Sequence, residues 1–339
     1  MIFAGDFAQL PPIQGENASL YGQKIGEKSS SKRSQEQAMG KSLWHQVTTV
    51  VILRENMCQK QQSPEDSKLV TSMMDGKASV SDDNFRNVSV ITSWNIHKDE
   101  ANSLGSVRFA NETGQTLTDF YSDDSLCKVP KQPTDDDSNE RWDRHKLIHL
   151  KEITDEFQHM FWNQPPSSTD LKIPGKLSLC VGMPIMIRHN SATELGITKG
   201  QEDIIYAWQS SQGARGQHVL DTLFVLLLNP SLPVQFNGLP LNVVLLVPTK
   251  TRVSVNLPGN KCTVITREQV EVLPNFAMTD YASQGKTHAF NVVDLHNCKS
   301  HQSMYTCLSR SASAEGTLIL QGLSKGMRQS ITKGASGAL

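Results

Sequence analysis

A basic field is what this 339-residue chain most plainly lacks: Lys and Arg number 33 against 34 Asp and Glu, giving a net charge of −1 and a pI near 6.8. That excludes a protein held on nucleic acid by its overall charge, so any such contact has to come from a local groove. Cysteine is sparse as well. The six (58, 127, 180, 262, 298 and 307) are scattered, with no Cys-x-x-Cys and no tight Cys/His cluster, so no zinc signature is present and reduced thiols in an intracellular protein are expected. No apolar run reaches the ~20 residues of a membrane helix, and no basic segment followed by an apolar core opens the chain. A membrane partner is therefore not expected. Hydrophobic residues make up only 37%, low for a compact domain, and the polar runs read as exposed loops. The length suits two domains, with room for a third small one.

What is present concentrates between Pro274 and Gly316. Asp280-Tyr281-Ala282-Ser283-Gln284-Gly285-Lys286-Thr287 forms a polar, small-residue turn, followed by an apolar run from Phe290 to Leu295 and then Tyr305-Thr306-Cys307-Leu308-Ser309-Arg310. Polar residues held at turns beside buried strands are how nucleotide-handling α/β domains present their chemistry. Gly285-Lys286-Thr287 mimics the end of a phosphate-binding loop. That motif needs a second glycine where Asp280 stands, however, and a carboxylate there would repel phosphate, so the phosphate-loop reading is rejected.

Ser-Gln-Gly after a hydrophobic strand, followed by Tyr-x-x-Leu-Ser-Arg, resembles the last two motifs of superfamily-one DNA helicases. The resemblance is to the branch typified by the Pif-one helicase of fungi and its relatives in rolling-circle transposons. It implies that Ser283 and Tyr281 touch DNA, that Gln284 and Gly285 touch nucleotide, and that Arg310 reaches the γ-phosphate. Tyr281 and Ala282 stand where relatives carry His and Lys. An aromatic can keep DNA contact by stacking on a base, and losing a Lys removes one phosphate contact. The other reading of Tyr281 is a packed core aromatic.

The neighbouring motifs follow in family order from residue 1. Met1–Ala4 is a strand-like run ending in Gly5-Asp6-Phe7-Ala8-Gln9-Leu10-Pro11-Pro12, which resembles helicase motif three. The resemblance places Gly5, Asp6 and Gln9 at the nucleotide, with Gln9 sensing the γ-phosphate, and Pro11 and Pro12 at DNA. In the family, the phosphate loop and the Asp-Glu pair that holds Mg2+ precede this motif; here they would fall before Met1, so the resemblance implies a truncated chain. Gly15–Lys41 reads as an exposed loop or frayed helix. Thr48–Leu53 is a β-branched strand, and Arg54 after it resembles the motif-four arginine that crosses to nucleotide, although Glu55 stands where the family has Gln. Arg54 as a surface ion-pair residue is the alternative.

Residues 65–76 have helical spacing, and Val88–Thr92 is a strand followed by Trp94, Asn95 and a helix through Asn102. In relatives the polar end of this strand meets the DNA backbone, which makes Asn95 a candidate contact. The acid- and proline-rich stretch 122–146 reads as a solvated loop and a poor metal site. Leu177–Asn190 is strand, glycine turn, strand. Strand candidates then run through Asp203–Trp208, Leu223–Leu228, Asn242–Val247 and Cys262–Arg267, with 209–217 as a hairpin loop, and fit a small all-β unit. Pro184–Arg188 before it and Val270–Leu273 after it read as parts of one α/β layer.

The implied fold class is α/β: a RecA-like motor domain, second of two, with an inserted small β-barrel and a remnant of the first motor domain. The expected boundaries are 1–50 for the remnant, 51–190 with 267–325 for the second motor domain, 191–266 for the barrel and 326–339 for a tail. The resemblance implies a monomeric helicase that hydrolyses ATP with Mg2+, moves 5′ to 3′ on single-stranded DNA and opens forks, in the nucleus or the mitochondrion. The alternative is a catalytically inactive, helicase-derived DNA-binding module.

Overall fold

A computed structural model of the chain describes residue 10 and residues 32–49, 83–127, 148, 150–230, 232–259 and 261–321. Motif three with Gly5, Asp6, Gln9, Pro11 and Pro12, the Arg54 segment, the helix expected at 65–76 and the tail at 326–339 all lie outside the described residues. In chain order the elements are α1 (Lys32–Trp44), β1 (Val90–Thr92), α2 (Asn95–Glu112), β2 (Thr118–Tyr121), β3 (Asp123–Leu126), α3 (Asp155–Asn163), β4 (Lys176–Leu179) and β5 (Pro184–Ile187). They continue with β6 (Glu202–Gln212), β7 (His218–Leu227), β8 (Val243–Leu246), β9 (Thr249–Leu257), β10 (Lys261–Gln269) and β11 (Val272–Pro274). The last are β12 (Ala277–Thr279), α4 (Asp280–Ser283), β13 (Asn291–Val293), α5 (His301–Leu308) and β14 (Thr317–Ile319). The chain divides into two units, one of Met1–Ser93 with Thr279–Leu339, the other of Trp94–Met278.

The first unit is built on a sheet of order β12-β1-β13-β14, with β12 carrying the chain across the boundary. β13 pairs in parallel with β1 (Val292 opposite Val90) and with β14 (Val292 opposite Leu318). All three residues of β13 are buried, as expected of a parallel strand covered on both faces. Val292, Leu318 and Phe85 form the local core. Gly316, entering β14, packs so closely that an added Cβ would sit 2.0 Å from the Ala289 carbonyl oxygen, so no side chain fits there.

The second unit contains a five-stranded antiparallel sheet of order β11-β5-β6-β7-β8, a three-stranded sheet β3-β10-β9 and the pair β2-β4. One core, with Phe120, Leu179, Ile185, Leu223 and Val225, lies under the larger sheet; a second gathers Phe161, Ile173, Val253, Val255 and Ile265. β10 alternates buried and half-buried residues along most of its length, the period-two pattern of a strand with one face inward. Helix α3 starts where Thr154 Oγ1 accepts from the Phe157 amide at 3.4 Å, with Asp155 and Glu156 placed favourably in the first turn. Along α2, Gly105 allows Phe276 to come so near that a Cβ would lie 2.5 Å from its ring. Asn102, one turn earlier, accepts from the amides of Phe276 and Ala277 at 2.8 Å each and donates to the Ala277 carbonyl at 3.1 Å.

Several expectations need correction. Pro184–Arg188 and Val270–Leu273 do not join an α/β layer: β5 pairs antiparallel with β6 and β11, in the same sheet as the β6-β7 hairpin. Short apolar runs look alike in either setting, and only pairing shows which sheet they join. The two compact units divide at 93/94 and 278/279. Gln209–Gln212, expected in a loop, extend β6, and the turn shrinks to 213–217, closed by the Gly213 amide on the Gln217 carbonyl at 2.7 Å.

The acidic stretch also differs where it is described. Asp123–Leu126 is strand β3, paired with β10, and Asp124 is buried. Its carboxylate takes Arg267 Nε at 2.9 Å and Nη2 at 2.8 Å, and neither side chain is exposed. Gln158 Nε2 adds a bond to Asp124 Oδ2 at 3.1 Å, and Arg267 also donates to the carbonyls of Ile173 and Phe161. A buried charge survives only when so paired, which is why this aspartate is not a loop residue.

Candidate functional site

The candidate site lies in the first unit, around the turn that follows β12. Thr279 Oγ1 accepts from the Ala282 amide at 3.3 Å and starts the one-turn helix α4. Asp280 is only 4% exposed. Its Oδ1 accepts from the Tyr281 amide at 2.8 Å, and its Oδ2 from Ser93 Oγ at 3.0 Å and Ser303 Oγ at 2.5 Å. The two hydroxyls also meet each other at 2.7 Å. One carboxylate thus ties the end of β1, the start of α4 and the first turn of α5 together. Asp280 is therefore a bracing residue rather than an exposed charge facing phosphate, which corrects one ground for rejecting a phosphate loop. A phosphate loop runs from a strand into a helix, whereas Gly285-Lys286-Thr287 follows a helical turn and leads into the bridge His288–Ser311 and then β13.

Ser283 is fully buried and donates to the Asp280 carbonyl at 2.8 Å. The hydroxyl closes the α4 turn. Tyr281 is 40% exposed, which sets aside the packed-core reading; partial burial, then the neighbouring Asp280 charge, raises its phenol above the usual tyrosine range. Gln284 and Gly285 are exposed. Gly285 has φ of +84°, a left-handed conformation that a side chain would strain, and the Lys286 amide closes the turn on the Ser283 carbonyl at 3.1 Å.

α5 begins at Ser300, whose Oγ accepts from the Ser303 amide at 3.1 Å. It ends just before Arg310, which is 5% exposed. The guanidinium donates from Nε to the Thr306 carbonyl at 3.0 Å, from Nη1 to the Lys286 carbonyl at 3.0 Å and from Nη2 to Ser309 Oγ at 2.7 Å. The His288 amide bonds the Arg310 carbonyl at 2.7 Å, and the Ala312 amide bonds the His288 carbonyl at 2.9 Å. The structure therefore brings the Ser-Gln-Gly turn and the Leu-Ser-Arg corner side by side, with Arg310 spanning them.

Asn95 opens α2 in the other unit. Among the described residues its buried Oδ1 has no hydrogen-bond partner. The bracing groups Ser93, Asp280 and Ser303 were missed as a set by sequence reasoning. The only signal for them was that polar residues end β1 and begin α5. Around β13, Asn291 Nδ2 donates to the Cys307 carbonyl at 2.9 Å, and Asp294 Oδ2 accepts from Thr92 Oγ1 and Asn297 Nδ2. Among the described residues no group of three or more His, Cys, Asp or Glu side chains could hold a metal ion, and no helix is long and apolar enough to cross a membrane.

No protein-family model and no curated protein matches the chain. Solved structures do. A Pif1 helicase from Candida albicans matches with a TM-score of 0.52 at 16% identity, over 95% of this chain and 64% of that one. Pif1 from Bacteroides in complex with ADP-AlF3 and single-stranded DNA matches with a TM-score of 0.48 at 16% identity, over 95% and 62%. Bacteroides Pif1 bound to single-stranded DNA matches with 0.44 at 15% identity, over 79% and 48%. The chain spans less than two thirds of the length of these structures. At such identity the likeness concerns fold: the chain has the mixed α/β, RecA-like fold seen in the Candida Pif1 helicase.

Proposed function

We propose that this chain serves an ATP-dependent DNA helicase of the Pif1-like, superfamily-one type, which couples ATP hydrolysis to 5′-to-3′ movement on single-stranded DNA and opens forks. The observation that carries the reading is the bond from Arg310 Nη1 to the Lys286 carbonyl, 3.0 Å. It sets a guanidinium beside an exposed Gln-Gly turn that leads, through the bridge His288–Ser311, into the amino end of β13. ATP fits this corner through the Gln284 amide, the Gly285 main chain and Arg310. When bound, it supplies the phosphoryl transfer whose energy drives movement. In that step a guanidinium neutralises charge developing on the transferred phosphate. Arg310 is committed to two carbonyls and a hydroxyl here, so it has to exchange at least one of them to reach a phosphate. No Mg2+ ligands are assigned from the described residues. Tyr281, exposed two residues before the buried Ser283, offers a ring on which a base stacks. Asn95, Gln9, Arg54 and the proline pair stay assigned by resemblance alone.

The burial of Arg310 favours a second reading, a helicase-derived DNA-binding module without turnover. One experiment covers both. The 339-residue chain is titrated against labelled single-stranded DNA by fluorescence anisotropy, and Tyr281→Ala and Tyr281→Phe are compared. Stacking of one base is worth about 1–3 kcal/mol, so Tyr281→Ala should weaken binding by roughly 5- to 150-fold while Tyr281→Phe holds it. Equal affinities for all three proteins would remove DNA from this face. Joined to a phosphate-loop motor domain, the chain should then support DNA-stimulated ATP hydrolysis that Arg310→Ala abolishes with DNA affinity intact. If hydrolysis never appears although DNA binds, the second reading stands.

A further inference from the structure

Two cysteines that no step of the helicase reading uses meet in the first unit. Cys298 Sγ and Cys307 Sγ lie 3.9 Å apart. Cys307, on the last turn of α5, is fully buried, whereas Cys298, on the segment between β13 and α5, is partly exposed. Both are pinned. Asn291 holds the Cys307 carbonyl at 2.9 Å, the Cys298 amide bonds the Leu295 carbonyl at 3.2 Å, and Cys298 Sγ touches the Asp294 carbonyl at 3.6 Å.

Their surroundings make the two thiols unequal. The Cys307 thiol donating to the Cys298 sulfur, helped by the hydroxyls of Ser303 and Ser93, brings Cys298 down to about 7, against burial and the Asp280 charge. Cys307 is pushed far up, first as the donor in that bond, then by burial and by the charges of Cys298, Asp280 and Asp294. The partly exposed sulfur is thus the more acidic of the two, and the buried one holds its proton more tightly. That is the division of labour between an attacking and a resolving cysteine.

We propose that Cys298 and Cys307 are a redox modification site that closes into a reversible disulfide, with a hydroperoxide as oxidant and a dithiol as reductant. The Cys298 thiolate attacks a peroxide oxygen; the O–O bond breaks, and the leaving alkoxide or hydroxide takes a proton and departs as alcohol or water. The sulfur is left as a sulfenic acid, two electrons poorer. Cys307 sulfur then attacks Cys298 sulfur, the S–O bond breaks, and hydroxide leaves with the Cys307 proton as water. Closing the bond brings sulfurs 3.9 Å apart to about 2.05 Å, a side-chain-scale movement. A dithiol reverses it by exchange. Because α5 runs directly into Arg310, the closed bond braces the same corner, but the inference does not depend on the helicase reading.

The test treats the 339-residue chain with hydrogen peroxide, blocks free thiols with N-ethylmaleimide and digests with trypsin without reductant. Lys299 lies between the two cysteines and Arg310 follows them, so trypsin separates Thr287–Lys299 from Ser300–Arg310 unless the sulfurs are joined. The expected product is the linked pair of these peptides, which dithiothreitol resolves and which Cys298→Ser abolishes. Cys298 should also alkylate about tenfold faster at pH 7 than Cys127, Cys180 or Cys262, as a depressed thiol does. Cys298 driven to sulfinic acid with no linked pair, or joined mainly to another cysteine or to a second chain, overturns the proposal. Cys298 is partly exposed, so its serine variant folds on a changed surface only; circular dichroism confirms it.

Discussion

Removing the Asp124 carboxylate tests the energetics of the second unit most sharply. Asp124→Ala deletes both bonds from Arg267 and the one from Gln158, and leaves a wholly buried guanidinium whose remaining partners among the described residues are the Ile173 and Phe161 carbonyls. Breaking a buried pair from one side costs about 3–5 kcal/mol, because the surviving charge stays out of water. For a unit of this size, about 2–4 °C of melting temperature goes with each kcal/mol, so the transition should fall by roughly 6–20 °C. Asp124→Asn keeps one acceptor but points donors at donors, and should lie between wild type and Asp124→Ala. The companion is Asp124→Leu with Arg267→Met, which removes both charges and refills the volume. A well-packed apolar replacement of a buried pair is often neutral, so the double variant should recover most of the loss. The assay is thermal unfolding followed by circular dichroism, with urea unfolding of the same proteins. A loss below about 1 kcal/mol for Asp124→Ala, the range of exposed pairs, would mean that water reaches the pair. A double variant less stable than Asp124→Ala would show that the charges, not the packing, hold β3 to β10.

Three further outcomes are expected. Asn102→Ala strands the buried amides of Phe276 and Ala277 and should cost about 2–6 kcal/mol in urea unfolding, since each orphaned group costs about 1–3 kcal/mol; a change within error would place water at the site. Gly285→Ala strains a φ of +84° in an otherwise open turn, so it should destabilise by on the order of 1 kcal/mol; no loss would mean that the turn adopts another conformation. The 339-residue chain alone should show no DNA-stimulated ATP hydrolysis, because Gly285-Lys286-Thr287 is not in a phosphate-loop context; turnover above a contaminant control, measured by phosphate release, would refute that.

Local chemistry was legible in the sequence because it depends on neighbours along the chain. β1, the first half of α2 and β13 stand where their local patterns placed them, and so do the Ser-Gln-Gly and Leu-Ser-Arg corners. The β6-β7 hairpin was foreseen, although its strands run further into the expected loop. β9 was missed: Thr249–Leu257 mixes Lys and Arg into its outward positions and never shows a plain apolar run.

What only the tertiary structure decided is partnership across distance. β5 and β11 read as apolar strands of unspecified sheet, and the hydrogen-bonded register with β6 assigned them to the antiparallel sheet. Asp124 and Arg267 stand 143 positions apart, so one read as a loop acid and the other as a strand end until burial joined them. Ser93, Asp280 and Ser303 are likewise three ordinary polar residues until folding removes them from water and leaves each the others as hydrogen-bond partners. A sequence pattern records which face of an element is apolar. The partner a buried polar group finds depends on which segments fold against it, and that is a property of the whole chain.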